Sequence, residues 1–171
     1  MIKWIGRGAM IILSGAAVYY FLPEKKIPPH KGIDTLVVLK SRRLMQAYSD
    51  GRLIKSYKIA LGGDPVGDKE SDGDMRTPEG VYTINDKNPN SGYYKNLGIS
   101  YPDKEDVDEA KKRNLDPGGN IKIHGIRNGF GFIGKFHRVM DWTAGCIAVT
   151  DEEMDELYAH VKIGVYIIIK P

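Results

Sequence analysis

Beyond residue 32 the hydrophobic positions gather in short runs rich in β-branched and aromatic residues, separated by polar, glycine-bearing turns, the pattern of strands. Residues 34–39, 43–48 and 53–60 read as three strands. The turn Ser49-Asp50-Gly51 joins the last two into a hairpin, because Asp-Gly tolerates the positive φ that a tight two-residue turn needs. Residues 80–84, 120–124 and 164–170 predict further strands. Two segments follow a helical spacing instead. Residues 150–161 carry Met154, Leu157, Tyr158 and Val161 on one stripe, and Thr150 with Glu153 forms a capping box at its start. Residues 101–115 are mostly charged, with Val107, Ala110 and Leu115 as the few apolar positions, which suits a short surface helix or an excursion. The expected class is mainly β (α+β), with one or two short helices.

The first 22 residues break this pattern. Lys3 and Arg7 precede 15 residues without a charge, from Gly8 to Leu22, the arrangement of an export signal or membrane anchor. Tyr19, Tyr20 and Phe21 are bulky where a cleavage site needs small residues, so an uncleaved anchor is expected; a cleaved signal with secretion, or a buried core helix, are the other readings. Residues 23–32 hold three prolines and three lysines and predict an extended, solvated linker, with His30 exposed within it. Residues 33–171 form the domain.

Charge sharpens this division. The 171 residues carry 25 Lys+Arg against 22 Asp+Glu, a net of +3. Residues 1–32 hold five of the cations and one acid, so the domain itself is slightly acidic and is not built to bind a nucleic-acid backbone. The loop Asp68, Glu70, Asp72, Gly73, Asp74, Glu79 has the spacing of a calcium-binding EF-hand loop, but no helix is predicted on either side of it, and a solvated acidic loop is expected.

The chemistry gathers around the single cysteine. Cys146 cannot form an internal disulfide, and it follows Thr143-Ala144-Gly145, a stretch able to turn tightly and present successive N–H groups to an oxyanion. A thiol nucleophile needs a base, and His124 at the end of a predicted strand is the candidate, with His137 competing from a glycine-rich loop. No metal or organic cofactor is implied, since acyl transfer through a thiol needs neither.

His124-Gly125, followed by Thr143-Ala144-Gly145-Cys146-Ile147, resembles the catalytic signature of the L,D-transpeptidase (YkuD) domain. Residues 73–82, containing Thr77-Pro78-Glu79-Gly80-Val81-Tyr82, are similar to a strand entry of the same family, and Asp141-Trp142 with the acidic helix after Val149 resembles its YafK-like branch. The resemblance implies a β-sandwich domain, residues 33–170, acting on peptidoglycan stem peptides in the bacterial cell envelope. Its catalytic domain would be periplasmic, and cell-wall-linked lipoprotein is a further partner. Cys146 would form a thioester, His124 would move the proton under guidance of a backbone carbonyl, and the N–H groups of Ala144, Gly145 and Cys146 would hold the oxyanion, with the cysteine resting as a thiolate beside an imidazolium. Ala148 stands where most members carry an arginine or asparagine, so Arg127, Arg138 or Arg76, together with Thr143 and Trp142, are the substrate-binding candidates. Transfer to an amine, hydrolysis of the same bond and a non-catalytic wall-binding module are the three functional readings.

Overall fold

The computed structural model describes residues 15 and 17–171. The larger part of the expected membrane segment therefore lies outside the described residues; of its end, residues 17–21 are helical, and among the described residues no helix is long and apolar enough to cross a membrane.

Eight strands make one curled sheet in the order β3-β2-β1-β8-β4-β5-β6-β7. They are β1 (Ile33–Leu39), β2 (Leu44–Ser49), β3 (Arg52–Lys58), β4 (Gly80–Ser91), β5 (Tyr94–Ile99), β6 (Lys122–His124), β7 (Ile147–Ala148) and β8 (Val161–Lys170). β1 runs parallel to β8 and β6 parallel to β7; the other neighbours are antiparallel. β4 is long enough to serve two layers: residues 80–83 pair with β8, while the rest pairs with β5. The chain just beyond β3 closes the curl by bridging Ala60 to Ala148 and Gly62 to Thr143. This mainly β fold with two short helices is the expected class.

Alternation decides what the strands bury. Leu36 and Val38 of β1, Met45 and Ala47 of β2, and Ile167 and Ile169 of β8 point into one core, joined by Leu97, Ile123 and Ile147 from the second layer. The predicted hairpin forms with Asp50 at φ 52° and Gly51 at φ 69°. Helix α1 (Lys104–Lys112) and helix α2 (Asp151–His160) fall within the two helical segments. In α2, the Thr150 hydroxyl accepts from Glu153 N–H and the Glu153 carboxylate accepts from Thr150 N–H, as the capping box predicts. Met154 and Leu157 are fully buried, and the helix packs on β5 and β8.

The linker expectation changes, while the acidic loop is exposed at Asp68, Glu70 and Asp72 as expected. The linker's polar side chains are solvated, but the segment is strapped to the domain: Ile27 is buried, its N–H donates to Glu156 Oε1 at 2.6 Å, and the Lys31 carbonyl meets His160 Nδ1 at 2.6 Å. His160, the last residue of α2, is a clasp for this strap. The acidic loop is held by its own donors. Asp74 accepts from Lys69 Nζ at 2.8 Å and from the N–H groups of Glu70, Ser71 and Arg76, while Asp68 Oδ1 accepts from Lys69 N–H and Glu79 N–H. Burial alone would raise the Asp74 carboxyl; the Lys69 ammonium and these N–H groups outweigh it and hold the group at about 2.

Candidate active site

The sheet itself brings the reactive residues together. Ile123 pairs with Ile147 across β6 and β7 and Leu97 pairs with Ile123 across β5 and β6, and all three point into the core. The residues one position away must then point to the opposite face. They are Asn96, which pairs with His124, together with Lys122, His124 and Cys146. These four line one pocket of about 450 Å³ with Tyr93, Asn120, Trp142, Thr143 and Ala144.

The cysteine sits in a turn held from three sides. Asp141 Oδ1 accepts from Leu61 N–H at 2.9 Å, and its Oδ2 takes Arg43 Nη2 at 2.7 Å, which anchors the start of the turn to the chain after β3. Thr143 Oγ1 donates to the Cys146 carbonyl at 2.7 Å and accepts from Gly145 N–H at 3.1 Å. Gly145 adopts φ 128°, and a Cβ there would lie 2.6 Å from the Arg76 carbonyl oxygen. Gly62 passes as closely on the other side, where its own Cβ would fall 2.0 Å from the Met75 carbonyl oxygen. The Thr77 hydroxyl accepts from Gly62 N–H at 3.1 Å. The Thr-Pro segment thus buttresses the cysteine turn.

His124 is buried and oriented by backbone. Its Nδ1 lies 2.7 Å from the Gly125 carbonyl oxygen, which can only accept, so Nδ1 carries the proton and Nε2 keeps a lone pair. Tyr93 covers the ring at 4.8 Å between centroids and Trp142 meets it edge-on at 5.6 Å. Gly125 has no room for a side chain: a Cβ would sit 2.6 Å from Asp151 Oδ1 and 2.9 Å from Tyr94 Cβ, because Asp151 at the start of α2 accepts from Ile126 N–H at 2.8 Å.

Electrostatics correct the expectation of a resting ion pair. Burial lowers the His124 pKa more than the Gly125 carbonyl raises it, and burial raises the Cys146 thiol more than Lys122 lowers it. Both groups therefore rest neutral near pH 7, a thiol and an imidazole lining one pocket, with Cys146 Sγ donating to the Asn120 carbonyl at 3.6 Å.

The sequence model of the YkuD family, described as the L,D-transpeptidase catalytic domain, matches residues 34–169. The chain belongs to this family. YafK of Escherichia coli (strain K12), whose name places it among the L,D-transpeptidases, is 28% identical over 131 residues, covering 72% of this chain and 45% of YafK. The helical cell shape determining protein Pgp2 of Campylobacter jejuni shares the fold with a TM-score of 0.61 at 24% identity, covering 82% of this chain and 48% of Pgp2. An L,D-transpeptidase of Mycobacterium smegmatis gives 0.54 at 16% identity, over 82% and 60%. The chain spans about half the length of YafK and of Pgp2.

Within this YkuD domain the other expected site residues fall in several places. His137 is buried behind Trp142, edge-on at 6.5 Å, and lines a second pocket with Arg127, away from Cys146. Arg138 is not available to substrate: its side chain is buried and pairs with Glu153 Oε1 at 2.7 Å and with Glu24 at 3.4 Å. Arg76 pairs with Asp64 at 3.1 Å. Thr143 is a pin for the turn, and the Gly145 N–H that was expected in the oxyanion hole is committed to that pin. Among the described residues, the N–H groups of Ala144 and Cys146 have no protein acceptor. Ala148 is fully buried, bridged to Ala60, so this position presents no group to substrate. Asn96, Tyr93 and Lys122 were missed. The Asn96 Oδ1 and the Trp142 Nε1 are buried without a partner, an acceptor and a donor on the walls of one pocket.

Proposed function

We propose that this chain is a cysteine acyltransferase of peptidoglycan stem peptides, an L,D-transpeptidase. The observation that carries the reading is the shared pocket: Cys146 and His124 lie on one sheet face, with the imidazole's Nδ1–H fixed on the Gly125 carbonyl and its Nε2 free. Cys146 Sγ attacks the carbonyl carbon of the diaminopimelate residue, and its proton passes to His124 Nε2. The S–C bond forms, the C–N bond breaks, and the leaving amine takes that proton. An acceptor amine then attacks the thioester, loses its proton to Nε2, and the thiol is restored by return of that proton to Sγ. The N–H groups of Ala144 and Cys146 hold the oxyanion. Because both reactive groups rest neutral, proton transfer accompanies attack, and slow alkylation of the resting thiol at pH 7 is consistent with the mechanism. The name of Pgp2 suggests cell shape as the process. Residues 1–22 tether the domain to the membrane on the periplasmic side.

Incubation of the full chain with purified sacculi, followed by mass spectrometry of the muropeptides, tests this. New cross-links, lost in Cys146→Ala, are expected, together with a stem-peptide adduct on Cys146 in intact-mass spectra. Released stem residues without cross-links would assign hydrolysis instead, and neither product nor adduct would leave a non-catalytic wall-binding module.

Asn96 is expected to grip the stem's amide groups. Asn96→Ala should lower kcat/KM about 3- to 10-fold, the worth of a net hydrogen bond of about 0.5–1.5 kcal/mol, mainly through KM. A fall confined to kcat in steady-state assays would argue against that role.

A further inference from the structure

The loop between His124 and Cys146 carries an apolar surface that the acyl-transfer site does not use. Phe132 is 73% exposed, Val139 77% and Met140 67%, beside half-exposed Phe130 and Phe136. The end of the N-terminal apolar run docks on this same loop. The Tyr20 hydroxyl donates to the Phe132 carbonyl at 2.7 Å, the Tyr20 and Phe136 rings stack at 5.5 Å, and Tyr19 lies 6.3 Å from Phe136. Glu24 ties the junction down through Lys135 at 3.3 Å and Arg138 at 3.4 Å. Gly134 gives the close approach, since a Cβ there would meet the Tyr20 ring at 2.9 Å. Phe21 and Leu22, just past these contacts, are themselves exposed.

We propose that this loop is a membrane-docking surface, with Phe132, Val139 and Met140 seated in the headgroup boundary of the bilayer that takes the N-terminal run. The proposal rests on the tethering read above. Its occupant follows from the chain: the uncharged stretch 8–22 ends at the patch, so a bilayer holding that stretch has its boundary where Tyr19 and Tyr20 meet the loop. Tyr and Phe at such a boundary, with Lys58 Nζ 5.7 Å from the Tyr19 ring centre and Arg127 lining the apolar pocket under the loop, match a lipid headgroup interface, with Glu24, Glu152 and Asp155 on the groove beside Tyr20. The patch also has the amphipathic character of surface-bound segments, with apolar side chains outward and cations at the rim. Trp142 and Tyr93 line both the apolar pocket under this loop and the catalytic pocket, so one aromatic wall separates the bilayer surface from Cys146.

The test uses the full chain reconstituted in vesicles of phosphatidylethanolamine and phosphatidylglycerol. Phe132→Cys, Val139→Cys and, as an exposed reference outside the loop, Val66→Cys are each made with Cys146→Ser and labelled with bimane. Vesicle flotation reports tethering, and lipids carrying a nitroxide shallow in the acyl chain report contact. Flotation with several-fold stronger quenching at 132 and 139 than at 66 is expected. Flotation with equal quenching at all three positions overturns the docking and leaves the tether standing. Failure to float overturns both.

Discussion

Gly145→Ala is expected to lose acyl transfer by roughly 10²-fold or more, the scale of misplacing a reacting atom by about 1 Å. Two independent constraints meet at this residue. Its φ of 128° is one that a side chain strains, and the Cβ would lie 2.6 Å from the backbone oxygen of Arg76, which has no freedom to rotate aside. The Thr77-Pro78 segment cannot retreat without releasing Gly62, whose N–H the Thr77 hydroxyl accepts. The turn carrying Cys146 must therefore move instead, taking the Cys146 N–H and Sγ away from His124. Stem-peptide turnover and intact-mass acylation would be measured alongside circular dichroism. A folded variant with turnover within about threefold of the parent would show that the turn has slack and does not fix the thiol.

His124→Gln should cost about 10²–10⁴ in the acylation rate, the usual range for a positioned general base. The pH profile gives the sharper check. Protonated His124 cannot take the thiol proton, so the rate must fall as pH drops through the imidazole's pKa. Burial places that pKa below the ordinary 6.5, and the acid limb should accordingly lie below 6.5 and vanish in His124→Gln. His137 is held lower still, at about 4, by burial and by Arg138. Standing behind Trp142, it should leave the limb in place when replaced by glutamine. An acid limb that moves with His137 and not with His124 would reverse the assignment of the base.

What could be read from the sequence depended on whether local pattern and tertiary structure agreed. β1, β2 and β3 are rich in β-branched and aromatic residues, β2 and β3 turn at Asp50-Gly51, and α2 starts at its capping box, so their local signals and final places coincide. β5 and the far half of β4 were hidden. Their residues include Asn85, Asp86, Asn88, Pro89, Asn96 and Gly98, poor strand formers that are held as strand by pairing: each supplies the other's ladder, and β6 supplies a second one to β5. Missing β5 meant missing Asn96, since nothing but its register with His124 marks it. Lys122 was within reach, being two residues from His124 on the same strand face. The linker misled through composition: prolines and lysines describe solvated side chains, while Ile27 N–H and the Lys31 carbonyl bond to α2 through the backbone, which composition does not report.

That strap sets how far the catalytic pocket can travel. On the proposed tether, ten free residues, drawn out fully, would let the domain roam about 33 Å from the bilayer surface. Clasped at Ile27 and Lys31, with Glu24 on the loop beside the site, the same ten residues provide almost no leash. On the proposed tether and activity, an enzyme of this build would not search the thickness of a wall. It would work at a fixed height, on strands that come within a domain's width of the membrane.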